Sequence, residues 1–359
     1  MNLSATAERV KPTLRHRRRG RHLIPIALLA SAVAVSGLVA VGLGASSLPA
    51  STVVRIVAAH LGLAPIDPEI SARQDAIVWE LRAPRAIGAM LVGATLAAAG
   101  AALQAIVRNT LADPFLLGVS SGASLGAASV ITLGVGSAIG GLTLMGGAFV
   151  GALAAIALVL ALVRTGGPAA SNRLVLAGIT VSFFLAALTN LVVVASGDRD
   201  AIRAVMFWML GSLGATRWEI LPWLAILAAL MVAMLTLRAR RLDAIALGDD
   251  VARSLGTDPD RLRAQITALT ALGVAAAVAV SGSIGFVGLV VPHLARRLVG
   301  ASHRVLIPVS ALLGALVLVW ADTLARTVFS PRELPLGILT ALLGTPLLML
   351  LIRHDGSQR

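Results

Sequence analysis

Cysteine and tyrosine are both absent from these 359 residues, and charged side chains make up only 13% of them. The missing cysteines exclude disulfides and thiolate metal sites. The shortage of charge excludes an ordinary soluble domain, in which about 25% of residues are charged. With 57% hydrophobic residues and a mean hydropathy of +0.90, the chain reads as an all-α, polytopic membrane protein. No stretch between its apolar segments is long enough for a separate soluble domain. Acids are scarce too, 17 against 30 basic residues, for a formal net charge of +13. The basic residues lie in short loops between apolar runs. They therefore signal topology and contact with membrane lipid, and not nucleic-acid binding.

Catalytic constellations are also missing. His16, His22 and His354 fall in the tails, His60 in a loop, and His293 and His303 near the end of an apolar segment without metal-ligand spacing. Asp249-Asp250 has no second acidic cluster to close on Mg²⁺, which disfavours a prenyltransferase. The run Ser281-Gly-Ser-Ile-Gly-Phe-Val-Gly288 lacks the Gly-Lys-Ser/Thr ending of a phosphate loop. The chain is expected to be no enzyme and to hold no metal or cofactor, with any ATP bound by a partner. A gradient-driven carrier is disfavoured because no series of buried acids or histidines could relay protons.

What is present is a succession of apolar runs. Ten spanning segments are expected near 23–44, 85–107, 115–134, 139–163, 172–195, 219–237, 263–281, 284–299, 304–324 and 335–352. They make residues 23–352 one transmembrane domain, between a basic tail at 1–22 and a short tail at 353–359. The first run has the ~20 residues that span a bilayer, longer than a cleaved signal peptide needs. With both termini cytoplasmic, most of the 30 basic residues fall on the cytoplasmic side, as the positive-inside rule requires. The segment 196–218 holds an apolar stretch too short to span and reads as a short helix at the opposite interface.

Three regions carry functional signal. Arg82 to Ala127 is an apolar hairpin with a polar turn, Arg108-Asn109-Thr110, and a small-residue run from Gly118 to Gly126 suited to close helix packing. The loop 238–263 contains Ala244, Leu247, Val251 and Leu255 at helical spacing, with Gly256 as a stop. It is expected to form one amphipathic helix at about 243–256, either resting on lipid or docking a cytoplasmic partner. Exposed acids at Asp249 and Asp250 favour docking, because an anionic leaflet repels them. Asp322 and Arg326, four residues apart, are expected to pair on a helix surface for roughly 0.2–0.5 kcal/mol.

These residues together resemble the FecCD-type permeases of ABC importers for iron–siderophores, haem and vitamin B12. The match rests on Arg82-Ala-Pro-Arg85; on Gln104, Asn109, Asp113, Pro114 and Gly118; on Ala246-Leu-Gly and Ala252-Arg-Ser-Leu-Gly256; and on Val291-Pro-His-Leu-Ala-Arg296, Ala321-Asp322, Arg326 and Glu333-Leu-Pro-Leu-Gly337. Thr110 departs from it, standing where proline usually follows the asparagine. The resemblance implies a subunit of the bacterial cytoplasmic membrane that pairs with a second copy or a sister permease. Two ATP-binding subunits would sit beneath and an extracytoplasmic binding protein above. It implies that Arg82, Arg85 and Arg326 meet the binding protein. Ala244, Leu247, Gly248, Val251, Leu255 and Gly256 would meet the ATPase, and Asn109 with Leu111, and Ser171 with Asn172, would form gates. A ferric siderophore is the leading expected cargo, with cobalamin or haem as alternatives and a non-transporting membrane scaffold as the reading of another class.

Overall fold

The computed structural model describes residues 23–44, 48–65, 67–133, 141–164 and 170–356. The basic tail 1–22 and residues 357–359 lie outside the described residues. The fold is all-helical, with no strand among the described residues. Ten helices coincide with the ten expected segments. They are α1 (Leu23–Gly42), the apolar part of α3 (Ala72–Val107), α4 (Val119–Leu133), α5 (Gly141–Arg164), α6 (Ala170–Ser196), α8 (Leu221–Leu237), α11 (Pro259–Ser281), α12 (Val287–Val299), α13 (His303–Thr327) and α14 (Leu336–Gly356). Six of them, α1, α3, α5, α6, α11 and α13, are each long and apolar enough to cross a membrane alone.

Four further helices fill the connections: α2 (Ala50–His60), α7 (Arg199–Met209), α9 (Ala239–Ala246) and α10 (Asp249–Ser254). The α7 helix is the short element expected within 196–218. Asp198 caps it by accepting from the Asp200 N–H at 2.9 Å, and Met206 and Phe207 are exposed along it.

The start of α3 differs from expectation. It begins at Ala72, thirteen residues before the apolar run expected from 85. A capping box starts it: Ser71 Oγ accepts from the Gln74 N–H, and Gln74 Oε1 accepts from the Ser71 N–H at 3.0 Å. Hydropathy alone cannot see such a start, because a cap acts on backbone donors and not on apolar area. A turn of π-helix, Ile77–Arg82, joins the polar first turns to the apolar shaft.

That shaft is the centre of the molecule. In α3, 78% of the apolar window is buried within the chain, against 22% in peripheral α1. The helix packs on α11, α12 and α13, while α4, α5 and α6 form a second group joined through α11. Glycine sets the closest approaches. A Cβ at Gly93 would overlap the carbonyl oxygen of Gly314, and one at Gly100 that of Gly288. Backbone approach of this kind replaces the hydrophobic effect as the adhesive between helices in lipid.

Candidate functional site

Functional side chains gather at the two ends of the bundle, separated by the length of α3. At one end, α9 turns away from α8 by 60°. The single helix expected over 243–256 is in fact two, α9 and α10. Gly248 lies between them at φ +128°, in a region that L side chains avoid and glycine enters freely. The break changes which residues share a face. Ala244 is buried, packed into the core, while Leu247, Val251 and Leu255 are 73%, 39% and 65% exposed. Gly256, at φ +75°, ends the segment. The exposed apolar patch is therefore Leu247, Val251 and Leu255, without Ala244.

Two carboxylates fasten this segment to the bundle. Asp243 Oδ1 accepts from the backbone N–H of His303 at 2.9 Å and lies 2.6 Å from its Nδ1, which caps the start of α13. Burial pushes the Asp243 carboxyl up, but the His303 contacts outweigh it and leave the group below its usual range. Asp249 is not the free surface acid expected from sequence. It accepts two hydrogen bonds from buried Arg263, at 2.6 and 3.1 Å. Only Asp250 stands fully exposed. Arg263 also donates through Nε to the Ile106 carbonyl at 3.2 Å, and Arg108 approaches Asp249 at 3.8 Å. One guanidinium thus joins the exposed segment to the last turn of α3. Sequence reading passed over Arg263, because its partners are chosen by the fold.

The hydrogen bonds from Arg263 hold the Asp249 carboxyl below the ordinary carboxylate range, against a smaller upward push from burial. An acid with a depressed folded pKa adds stability that is full above its unfolded pKa, about 3.9. That stability is lost as pH falls through the folded value, because the unfolded chain then binds more protons. The Asp249→Asn variant should therefore melt lower than wild type at pH 7. The gap should close as pH drops below about 4, as thermal melts across pH will register.

The turn expected to act as a gate follows directly. Arg108 ends α3 in the left-handed conformation, at φ 57°. Asn109 Oδ1 then accepts from the Leu111 N–H at 2.9 Å, and Asp113 Oδ1 from the Phe115 N–H at 2.8 Å. Two Asx turns shape the reversal. Leu111 is 45% exposed, and Asn109 is exposed beside it. Gln104, one turn back in α3, donates to the Leu289 carbonyl at 3.1 Å. A cavity of about 470 Å³ opens here, lined by Gln104, Arg108, Asn109, Leu247 and His303. Ser171 and Asn172 lie in the first turn of α6. That helix meets the 114–117 turn farther along, where Gly178 packs on the Leu116 carbonyl.

At the opposite end, Arg82, Arg85 and Arg326 come together, but not as the open cationic surface the sequence leads one to expect. Arg82 and Arg326 are buried. Arg82 donates to the carbonyls of Val41 and Gly42 at 3.3 and 3.1 Å. Arg326 donates to those of Ala40 and Leu43 at 3.0 and 3.2 Å. These belong to the last turn of α1 and the residue after it. That turn has no basic residue of its own, and a helix end leaves such carbonyls without intrahelical partners. Two arginines from distant helices satisfy them and oppose the negative pole of the helix.

Asp322, 1% exposed, pairs with two of the three arginines. It contacts Arg326 Nε at 3.1 Å and accepts from Arg85 Nε at 3.0 and 3.1 Å. Arg85 Nη1 in turn donates to Glu333, which is half-exposed. The Asp322–Arg326 contact is therefore part of a buried multi-helix network, not the weak surface pair expected from its spacing. Trp79, in the π-turn that ends at Arg82, stacks on His60 at 4.2 Å and meets Trp218 at 4.6 Å with its ring tilted by 31°.

A bundle of apolar helices with a tethered apolar patch at one end and an ionic cluster at the other defines a multi-pass membrane transport subunit. The chain belongs to the FecCD transport family, whose model matches residues 29–354. It is similar to the cobalamin import system permease protein of Halobacterium salinarum, with 39% identity over 92% of this chain and 89% of that one. It is similar also to the Fe(3+)-citrate import system permease protein of Bacillus subtilis, with 37% identity over 96% and 98%. Among solved structures it matches a metal-chelate type ABC transporter in an inward-facing conformation, with 31% identity, a TM-score of 0.80, and coverage of 92% and 98%. The protein is accordingly a permease of this transport family.

Proposed function

We propose that the cargo is a ferric siderophore, carried between two permease subunits by ATP-driven alternating access. The relative named for ferric citrate supports a ferric cargo, while the one named for cobalamin favours the competing reading. The termini and the 238–263 segment face the cytoplasm, as the basic loops indicate. Two ATP-binding subunits dock there and hydrolyse the nucleotide. Leu247, Val251 and Leu255 are the contact, because three large apolar side chains exposed on a tethered segment need a cover. Asn109, Leu111, Ser171 and Asn172 form the cytoplasmic gates, and Arg85 serves the extracytoplasmic dock, with Arg82 and Arg326 holding the end of α1 beneath it. The exposed patch carries this reading: its tether through Arg263 reaches the last turn of α3, so a pull on the patch reaches the turn at 108–111.

The test is uptake into proteoliposomes holding the permease, its ATPase and its binding protein. Iron-loaded siderophore should accumulate only with ATP inside the compartment facing the ATPase. Accumulation of cobalamin or haem in its place would reassign the cargo. Leu247→Asp with Val251→Asp should lower coupled ATP hydrolysis about tenfold, consistent with loss of roughly 1.4 kcal/mol or more of contact. Normal transport by this double variant would remove the docking role.

A further inference from the structure

Among the described contacts of the arginine cluster, Arg85 has a partner that can leave. Its Nε is fixed by Asp322, which is almost wholly buried. Its Nη1 is held by Glu333, whose side chain is 50% exposed on the segment between α13 and α14. Arg85 itself is only 11% exposed. An external carboxylate would therefore compete with Glu333 for Nη1.

We propose that Glu333 is a built-in substitute for the binding protein's carboxylate: it covers Arg85 in the free permease and must be displaced when the partner docks. This rests on the proposed docking role of Arg85 and adds the residue that sets its affinity. The division of labour follows from burial. Arg82 and Arg326 are committed to the end of α1, and removing them would strip carbonyls of their donors. Among the described contacts, the bond from Arg85 to solvent-accessible Glu333 can be exchanged, one carboxylate for another, with little change in total charge pairing. Exchange of one carboxylate for another leaves the number of charge pairs unchanged, so its net gain is small. The competitor thus keeps docking weak enough to reverse in each cycle.

Gly214 supplies a reporter. It is exposed, and a Cβ there would stand 3.6 Å from Arg85 Nη1 in ordinary contact. The chain has no cysteine, so Gly214→Cys gives one thiol beside the guanidinium. Its reaction rates with the anionic ethylsulfonate and the cationic trimethylammonium methanethiosulfonates report the local charge. Adding Glu333→Gln, which keeps shape and removes charge, should raise the anionic-to-cationic rate ratio about fivefold, and 0.5 M salt should reduce that gain. An unchanged ratio overturns the shielding. In parallel, Glu333→Gln should tighten capture of the purified binding protein several-fold, and Arg85→Gln should weaken it. If Arg85→Gln weakens capture and Glu333→Gln does not tighten it, the substitute role fails alone. If Arg85→Gln leaves capture unchanged, the docking role fails and this inference with it.

Discussion

Replacing Asp322 by alanine should cost the permease about 3–5 kcal/mol, the range for removing one partner of a buried ion pair. The reason lies in what remains. Arg85 and Arg326 would keep their charges among apolar helices with no buried acid to offset them. Water cannot readily relieve this, because Arg326 is 6% exposed. The end of α1 should loosen too, since Arg326 also holds the carbonyls of Ala40 and Leu43. Thermal melting in detergent is the measurement, with Asp322→Asn as companion. The asparagine keeps the volume and loses only the charge, so it should recover a minor part of the loss. Wild-type melting by both variants would mean that the network carries no weight. The result also bears on the dock. Reversing Arg82 or Arg326 to glutamate places acid against carbonyl oxygens, so such variants should fail to fold before they fail to bind.

Gly100→Ala should be nearly as damaging, although it adds one methyl group. The new Cβ would overlap the backbone of Gly288, which has no rotamer with which to yield. Overpacking ordinarily costs about 1–3 kcal/mol, and backbone pressed on backbone belongs at the upper end. Gly146→Ala is the control, since a Cβ there meets nothing within 4 Å. It should be neutral or gain up to about 1 kcal/mol from helix propensity. Equal melting temperatures for the two variants would contradict the packing described for α3 and α12.

Helices were legible at the ten expected positions, six of them long and apolar enough to cross a bilayer alone, because the bilayer imposes a length and a composition that any reader of hydropathy can detect. The polar turn at 108–110 was legible because Asn and Asp carry their own turn chemistry. The start of α3 was legible only to a reader of caps, through Ser71 and Gln74. The break at Gly248 was hidden, since a helical spacing of leucines says nothing about one glycine's φ. The arginines were visible as charges but not as caps. Arg85 meets Asp322 across 237 residues, and Arg326 meets Ala40 across 286. Pairings at that separation are decided by the packed bundle, and no local pattern encodes them. The same limit hid Arg263, which looks like one more loop arginine until its three neighbours are in place.

The unbroken shaft of α3 has a mechanical meaning. Arg85, beneath Glu333, and Gln104, beside the polar turn, are turns of one helix, with Arg108 closing its end. At 1.5 Å per residue, the path from Arg82 to Arg108 is about 39 Å. A rod of that length turns a small angle into travel: a tilt of about 5° at one end sweeps the other through roughly 3 Å. That is about the spacing of a hydrogen bond, so it is enough to make or break the contacts of Gln104 and Arg263. Tilting of such a rod about one end would couple the arginine cluster to the polar turn directly, with no relay of small rearrangements between them.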